Sequence, residues 1–170
     1  MQRWMIGAML LAAASTAYAE DRPTFRFMRV DAFADAFNAA AKREGVAVRA
    51  IKTTCTAQAA AVCRYSLGEF LEAIISGAAV NAPVRDIVIA NGAPKGRTAE
   101  AARAVVAYLV AIQLLSREAD PVTRMETMKA LMRGLLSKDE EGAAELGGVR
   151  YTLSTFKGVG GVLLFAEPIE

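Results

Sequence analysis

The sequence predicts an α+β fold, with an antiparallel sheet of about five to six strands packed against about three helices in a single domain over residues 20–170. Three observations lead there. Helical periodicity with matching start and stop signals recurs over residues 31–44, from Thr98 or Ala99 to about Ser116, and from Asp120 to about Ser137. Short segments rich in β-branched and aromatic residues lie between and after these helices, separated by turn residues. Strands that follow one another through short turns pair antiparallel, and the helices then gather on one face. The expected order is α-β-β-β-β-α-α-β-β.

Residues 1–19 read as a cleaved secretory signal peptide. Arg3 is their only charge, the run Trp4 to Ala14 is apolar, and Ala17-Tyr18-Ala19 is a small-residue cleavage site. The apolar run is too short to span about 30 Å of hydrocarbon. No cysteine stands at the cleavage point to carry a lipid. Such a leader predicts a bacterial protein that is periplasmic or secreted. Without it the chain holds nineteen basic and eighteen acidic residues, a balance that suggests neither a nucleic-acid partner nor a polybasic membrane contact.

The segments follow in order. Residues 20–30 form an extended lead-in carrying Phe25, Phe27, Met28 and Val30. Asp31 suits a helix N-cap, and Phe33, Ala36, Phe37, Ala40 and Ala41 recur at helical spacing. Lys42 and Arg43 complement the helix dipole, and Gly45 suits the position just past the end.

Cys55 and Cys63, with seven residues between them in a chain marked for export, read as a disulfide clamping a β-hairpin with strands near 47–55 and 63–68. If they face each other, Thr53 faces Tyr65 and Ile51 faces Leu67, all on one side of the sheet. Redox activity would call for C-x-x-C spacing, and a metal site would call for further ligands.

Phe70 to Ser76 is apolar with the spacing of a strand or a helix, Gly77 to Pro83 is a loop, and Val84 to Ala90 is a strand. After the turn at 91–97 comes a helix that is apolar nearly all round from Ala104 to Leu115, as a buried helix is. Val105, Tyr108, Leu109, Ile112 and Leu115 form its expected inner side. Asp120-Pro121 opens the last helix, with Gly134 a weak point near its end. Lys138 to Gly148 reads as a solvated loop, and Val149 to Phe156 and Val162 to Ala166 as strands joined at Lys157 to Gly161. The element order resembles the helix–sheet–helix layout of bacterial secretion chaperones, in order alone, and no function is carried over from it.

The inventory for catalysis is thin. The chain has no histidine, which removes the commonest general base and metal ligand. Ser66, Ser76, Ser116, Ser137 and Ser154 therefore lack an imidazole to activate them. Asp31 and Asp35 share a helix face, and Asp86 stands in an apolar strand, where an outward position or a pairing with Arg85 or Arg64 would account for it.

Asn91 to Thr98 lies between a strand and a helix but departs from the phosphate-loop spacing. Lys95 and Arg97 leave at most an incidental anion site, with Thr98 as a cap. Met125, Met128 and Met132 on one helix face suit a core or a soft partner surface better than a copper site. No catalytic, cofactor-binding or metal site is expected.

The resulting expectation is a non-catalytic exported accessory or protein-binding domain acting on a protein or small apolar ligand of the cell envelope. The alternative is a small-molecule or lipid carrier with a pocket between the sheet and the central helix, beneath Tyr108 and Ile112. A methionine-based metal accessory ranks behind both.

Overall fold

The computed structural model describes residues 22–93, 96–156 and 161–169. The leader read in residues 1–19 lies outside them. Among the described residues the chain forms β1 (Phe25–Arg29), α1 (Phe33–Arg43), β2 (Ile51–Ala57), β3 (Ala61–Gly68), β4 (Leu71–Gly77), β5 (Pro83–Asn91), α2 (Thr98–Leu115), α3 (Pro121–Leu135), β6 (Glu141–Leu146), β7 (Val149–Phe156) and β8 (Gly161–Pro168). All eight strands join one antiparallel sheet in the order β2-β3-β4-β5-β8-β7-β6, and β1 pairs with the start of β5. The α+β class is as expected.

Burial alternates along the central strands, as period-two geometry requires. Ala61, Cys63, Tyr65 and Leu67 of β3 and Leu71, Ala73 and Ile75 of β4 are buried, and the residues between them are partly exposed. Ile87 and Ile89, Leu153, and Leu164 continue the same buried layer across β5, β7 and β8. The helices cover this side. Phe33 and Phe37 of α1 pack together with ring centroids 5.4 Å apart, and Phe33 sits 5.1 Å from the Tyr65 ring. Tyr65 donates its hydroxyl to the Val30 carbonyl at 2.6 Å, tying the sheet to the chain entering α1.

The helix termini follow local chemistry. Asp120 caps α3 by accepting the Val122 and Thr123 amides at 2.9 and 3.0 Å, with Pro121 in the first turn. Gly45 follows α1 with φ +67°, a left-handed conformation that suits glycine. α2 is long and apolar enough to cross a membrane by length and composition alone. It packs instead against α1, α3 and β5, with Ala104, Ala107, Tyr108, Ala111 and Ile112 buried.

Several expectations need correction. The sheet has eight described strands, not five to six. The lead-in at 20–30 is extended as expected, but it joins the sheet as β1, with Phe25 and Met28 buried. The solvated loop expected at 138–148 contains β6, which lacks any β-branched residue and is held by pairing with β7 and packing against α3. β2 begins at Ile51, since residues 46–50 make no ladder. The segment around 70–76 is a strand, as the expected element order had it.

Asp31 does not cap a helix. A short 3₁₀ turn over Val30–Ala32 precedes α1, and Asp31 pairs with Arg29 at 3.2 Å. Thr98 is the first residue of α2 and not its cap. The inner side of α2 is centred on Ala104, Ala107–Tyr108 and Ala111–Ile112. Val105 and Leu109 are only partly buried. The alanines let the helix approach its neighbours closely, and residue size, not hydropathy, chose the face.

Candidate functional site

The Cys55–Cys63 disulfide forms between directly facing residues of β2 and β3, with Cα atoms 4.1 Å apart. It is the clamp the spacing predicted, and it suits an oxidising compartment. The register beyond it differs from the expected one. A bulge at Thr53 shifts the pairing, so Lys52 faces Tyr65 and Ile51 faces Ser66. Thr53 donates its hydroxyl to the Arg64 carbonyl at 3.0 Å, which anchors the extra residue. Cys63 is buried and Cys55 exposed, consistent with a structural cross-link at the sheet margin.

The side of the sheet opposite the helices carries the most distinctive surface. An antiparallel sheet with one solvated face normally puts polar side chains there. Here the register lines up Arg64, Ile74, Val88, Phe165 and Thr152 across β3, β4, β5, β8 and β7. The next row is Ser66, Glu72, Ala90, Leu163 and Ser154. The centre of both rows is apolar and the ends are polar. Phe70, from the β3–β4 turn, and Phe156, at the end of β7, also line the surface. Together they enclose an open trough of about 650 Å³.

Polar contacts frame this floor. Arg64 Nη1 lies 3.1 Å from Glu72 Oε2. Ser76 donates its hydroxyl to Asp86 Oδ2 at 2.8 Å, and Asp86 lines the trough, the outward position that one of the sequence alternatives held. The Arg97 guanidinium stands 5.3 Å from the centre of the Phe70 ring and 3.7 Å from Glu100. Beyond the trough on the same face, Arg150 bridges Glu145 and Glu167.

Such an arrangement can hold an apolar object flanked by charge. Ser76 and Asp86 form a pair without an imidazole between them, so the trough does not reproduce the Ser-His-Asp arrangement.

The other sequence candidates do not converge on one site. Tyr108 and Ile112, beneath which a pocket was expected, are buried in the core between helix and sheet, and the trough lies on the opposite side of the sheet. Met128 is buried, Met132 packs at the core margin and Met125 is 44% exposed. Among the described residues no three His, Cys, Asp or Glu side chains gather to hold a metal. Lys95 lies outside the described residues, and Arg97 is committed to Phe70 and Glu100.

Ser116 is buried, 2.7 Å from the Tyr151 hydroxyl, and donates to the Leu146 carbonyl at 2.8 Å. That is a structural tie between α2 and the β6–β7 turn. Burial pushes the Tyr65 hydroxyl up to about 12 and raises those of Tyr108 and Tyr151 well above the ordinary tyrosine value.

The trough floor was missed in the sequence although a signal existed. Ile87-Val88-Ile89-Ala90 and Val162 to Ala166 are apolar at every position, not at alternate ones. Continuous apolar strands imply two apolar faces. No family model matches the chain, and no curated protein or solved structure matches it.

Proposed function

We propose that this chain is a non-catalytic, exported protein-binding module of the bacterial cell envelope, periplasmic or secreted, that receives its partner on the open face of its sheet. The observation that carries the reading is the apolar floor formed by Ile74, Val88, Ala90, Leu163 and Phe165 on the side that none of the described helices covers. These side chains are partly exposed and line an open trough, where an apolar partner would cover them. The disulfide and the signal-like leader support export.

The carrier alternative needs an apolar cavity between the sheet and α2, where Tyr108 and Ile112 lie buried in the core. The test is a photo-crosslinking side chain placed at Leu163 in the exported protein. A polypeptide adduct at Leu163, absent from a control at exposed Val122 of α3, is the expected result. Native mass spectra showing a small apolar molecule retained in place of a polypeptide would overturn the proposal.

A further inference from the structure

Resting on that reading, we infer that the partner presents an amphipathic α-helix, with lysines or arginines flanking its apolar stripe. Three features of the trough select this occupant.

The first is its openness. Pockets for small ligands bury about 70–90% of the ligand. A hydrocarbon chain lying on this face would leave its upper side in water. An amphipathic helix needs cover on one side only and brings its own polar back.

The second is size. From Asp86 to Asn91 the floor runs about 17 Å along β5, and from β3 to β7 it is about 19 Å wide. A helix is about 10–12 Å across, and about eleven residues rise through 17 Å. Three turns therefore fit, with room for flanking side chains. Strand addition would need a sheet edge, and the edges are β2 and β6, away from this floor.

The third is charge. The trough is lined by Glu69, Glu72 and Asp86 against Arg64, a net of two negative charges. At the Phe70 end Arg97 is offset by Glu100 and Arg103 approaches Gly68, which leaves a net of one negative charge around the trough. These carboxylates stand beside the apolar floor, where basic side chains flanking a helix stripe would reach them. Charge of this kind sets partner choice and association rate.

The test uses the purified, disulfide-bonded protein and two synthetic peptides of about fourteen residues, enough to exceed the trough length. Both share one apolar stripe at helical spacing. One has lysine flanks and the other glutamate flanks. The lysine peptide is expected to bind at least tenfold more tightly, to gain helical circular dichroism on binding, and to weaken as salt rises. Val88→Lys should abolish binding, and Asp86→Asn should narrow the difference between the peptides. Near-ultraviolet spectra establish that both variants are folded.

Equal binding of the two peptides, or binding of neither, overturns the helix assignment. So does a Leu163 crosslink to a second copy of this chain or to lipid in vesicles. If neither peptide binds but Leu163 crosslinks to another protein, the helix assignment falls and the protein-binding reading stands. If Leu163 yields no protein adduct, the reading itself falls.

Discussion

Gly134 of α3 and Gly142 of β6 meet backbone to backbone. A Cβ on Gly134 would stand 2.2 Å from the Gly142 Cα, and one on Gly142 would stand 2.1 Å from the Leu131 carbonyl oxygen. Neither residue has room for a methyl group. The contact seats α3 directly on β6 and makes a strand from a segment of low β propensity.

Exchanging glycine for alanine inside a helix ordinarily stabilises by about 1 kcal/mol. At Gly134 the sign should reverse. Gly134→Ala and Gly142→Ala are each expected to cost about 3 kcal/mol, because the obstructing atoms are backbone and cannot swing aside. Urea unfolding measures the loss, with a melting temperature lower by about 6–12 °C. Unchanged or raised stability in Gly134→Ala would show that α3 and β6 are not in contact.

That contact also shows what the sequence could not display. Gly134 read as a weak point of its helix and Glu141–Leu146 as solvated loop, because each was judged alone. Only their approach in space makes both small residues necessary. Elements with their own signal were legible: Asp120-Pro121 at the start of α3, the facing cysteines, and the β-branched run of β5. Asp31 was not, because the same side chain that can cap a helix can pair with Arg29. The binding face was hidden for a related reason. Val88 and Phe165 look like core until the topology places the described helices on the other side.

The disulfide is expected to contribute about 2–3 kcal/mol by restraining the unfolded chain. Cys55→Ala with Cys63→Ala should lose that amount in urea unfolding, with little change in circular dichroism, since Cys63 alone occupies buried space. A reducing agent should destabilise the natural chain to the same extent and leave the double variant unaffected. Equal sensitivity of the two proteins to reductant would remove the cross-link from the account.

Alkaline pH should unfold the protein through its tyrosines. Tyr65 is raised to about 12, and burial holds Tyr108 and Tyr151 protonated well above their ordinary value. The unfolded chain ionises near 10, so their contribution is complete below that pH and is lost as pH rises toward the folded values. Each tyrosine should remove about 1.4 kcal/mol per pH unit in that window. Phenolate absorbance should therefore appear together with loss of structure. Ionisation of all three tyrosines near 10 in the folded protein would contradict their burial.

Ser116 and Tyr151 form a pair whose halves differ when removed. Ser116→Ala leaves the Tyr151 hydroxyl and the Leu146 carbonyl without their serine partner and should cost about 1–3 kcal/mol. Tyr151→Phe removes its own hydroxyl and leaves Ser116 bonded to Leu146, so it should cost less. The double variant should be more stable than the sum of the two losses predicts, which a double-mutant cycle in urea reads directly.

Val88 and Ile89 are neighbours on β5 that face opposite sides of one strand, and they separate folding from function. Ile89 is fully buried, so Ile89→Ala should cost about 2–5 kcal/mol, from lost burial and the cavity left behind. Val88 lies partly exposed on the trough floor. Val88→Thr keeps the β-branched shape that suits a strand, so its cost should stay within about 0.5 kcal/mol. If the apolar floor exists for a partner, Val88→Thr should leave folding nearly intact and lower the binding of apolar fluorescent dyes by the free protein. A loss of several kcal/mol in Val88→Thr would mean that the open face is part of the folding core, and its apolar character would then need no partner to explain it.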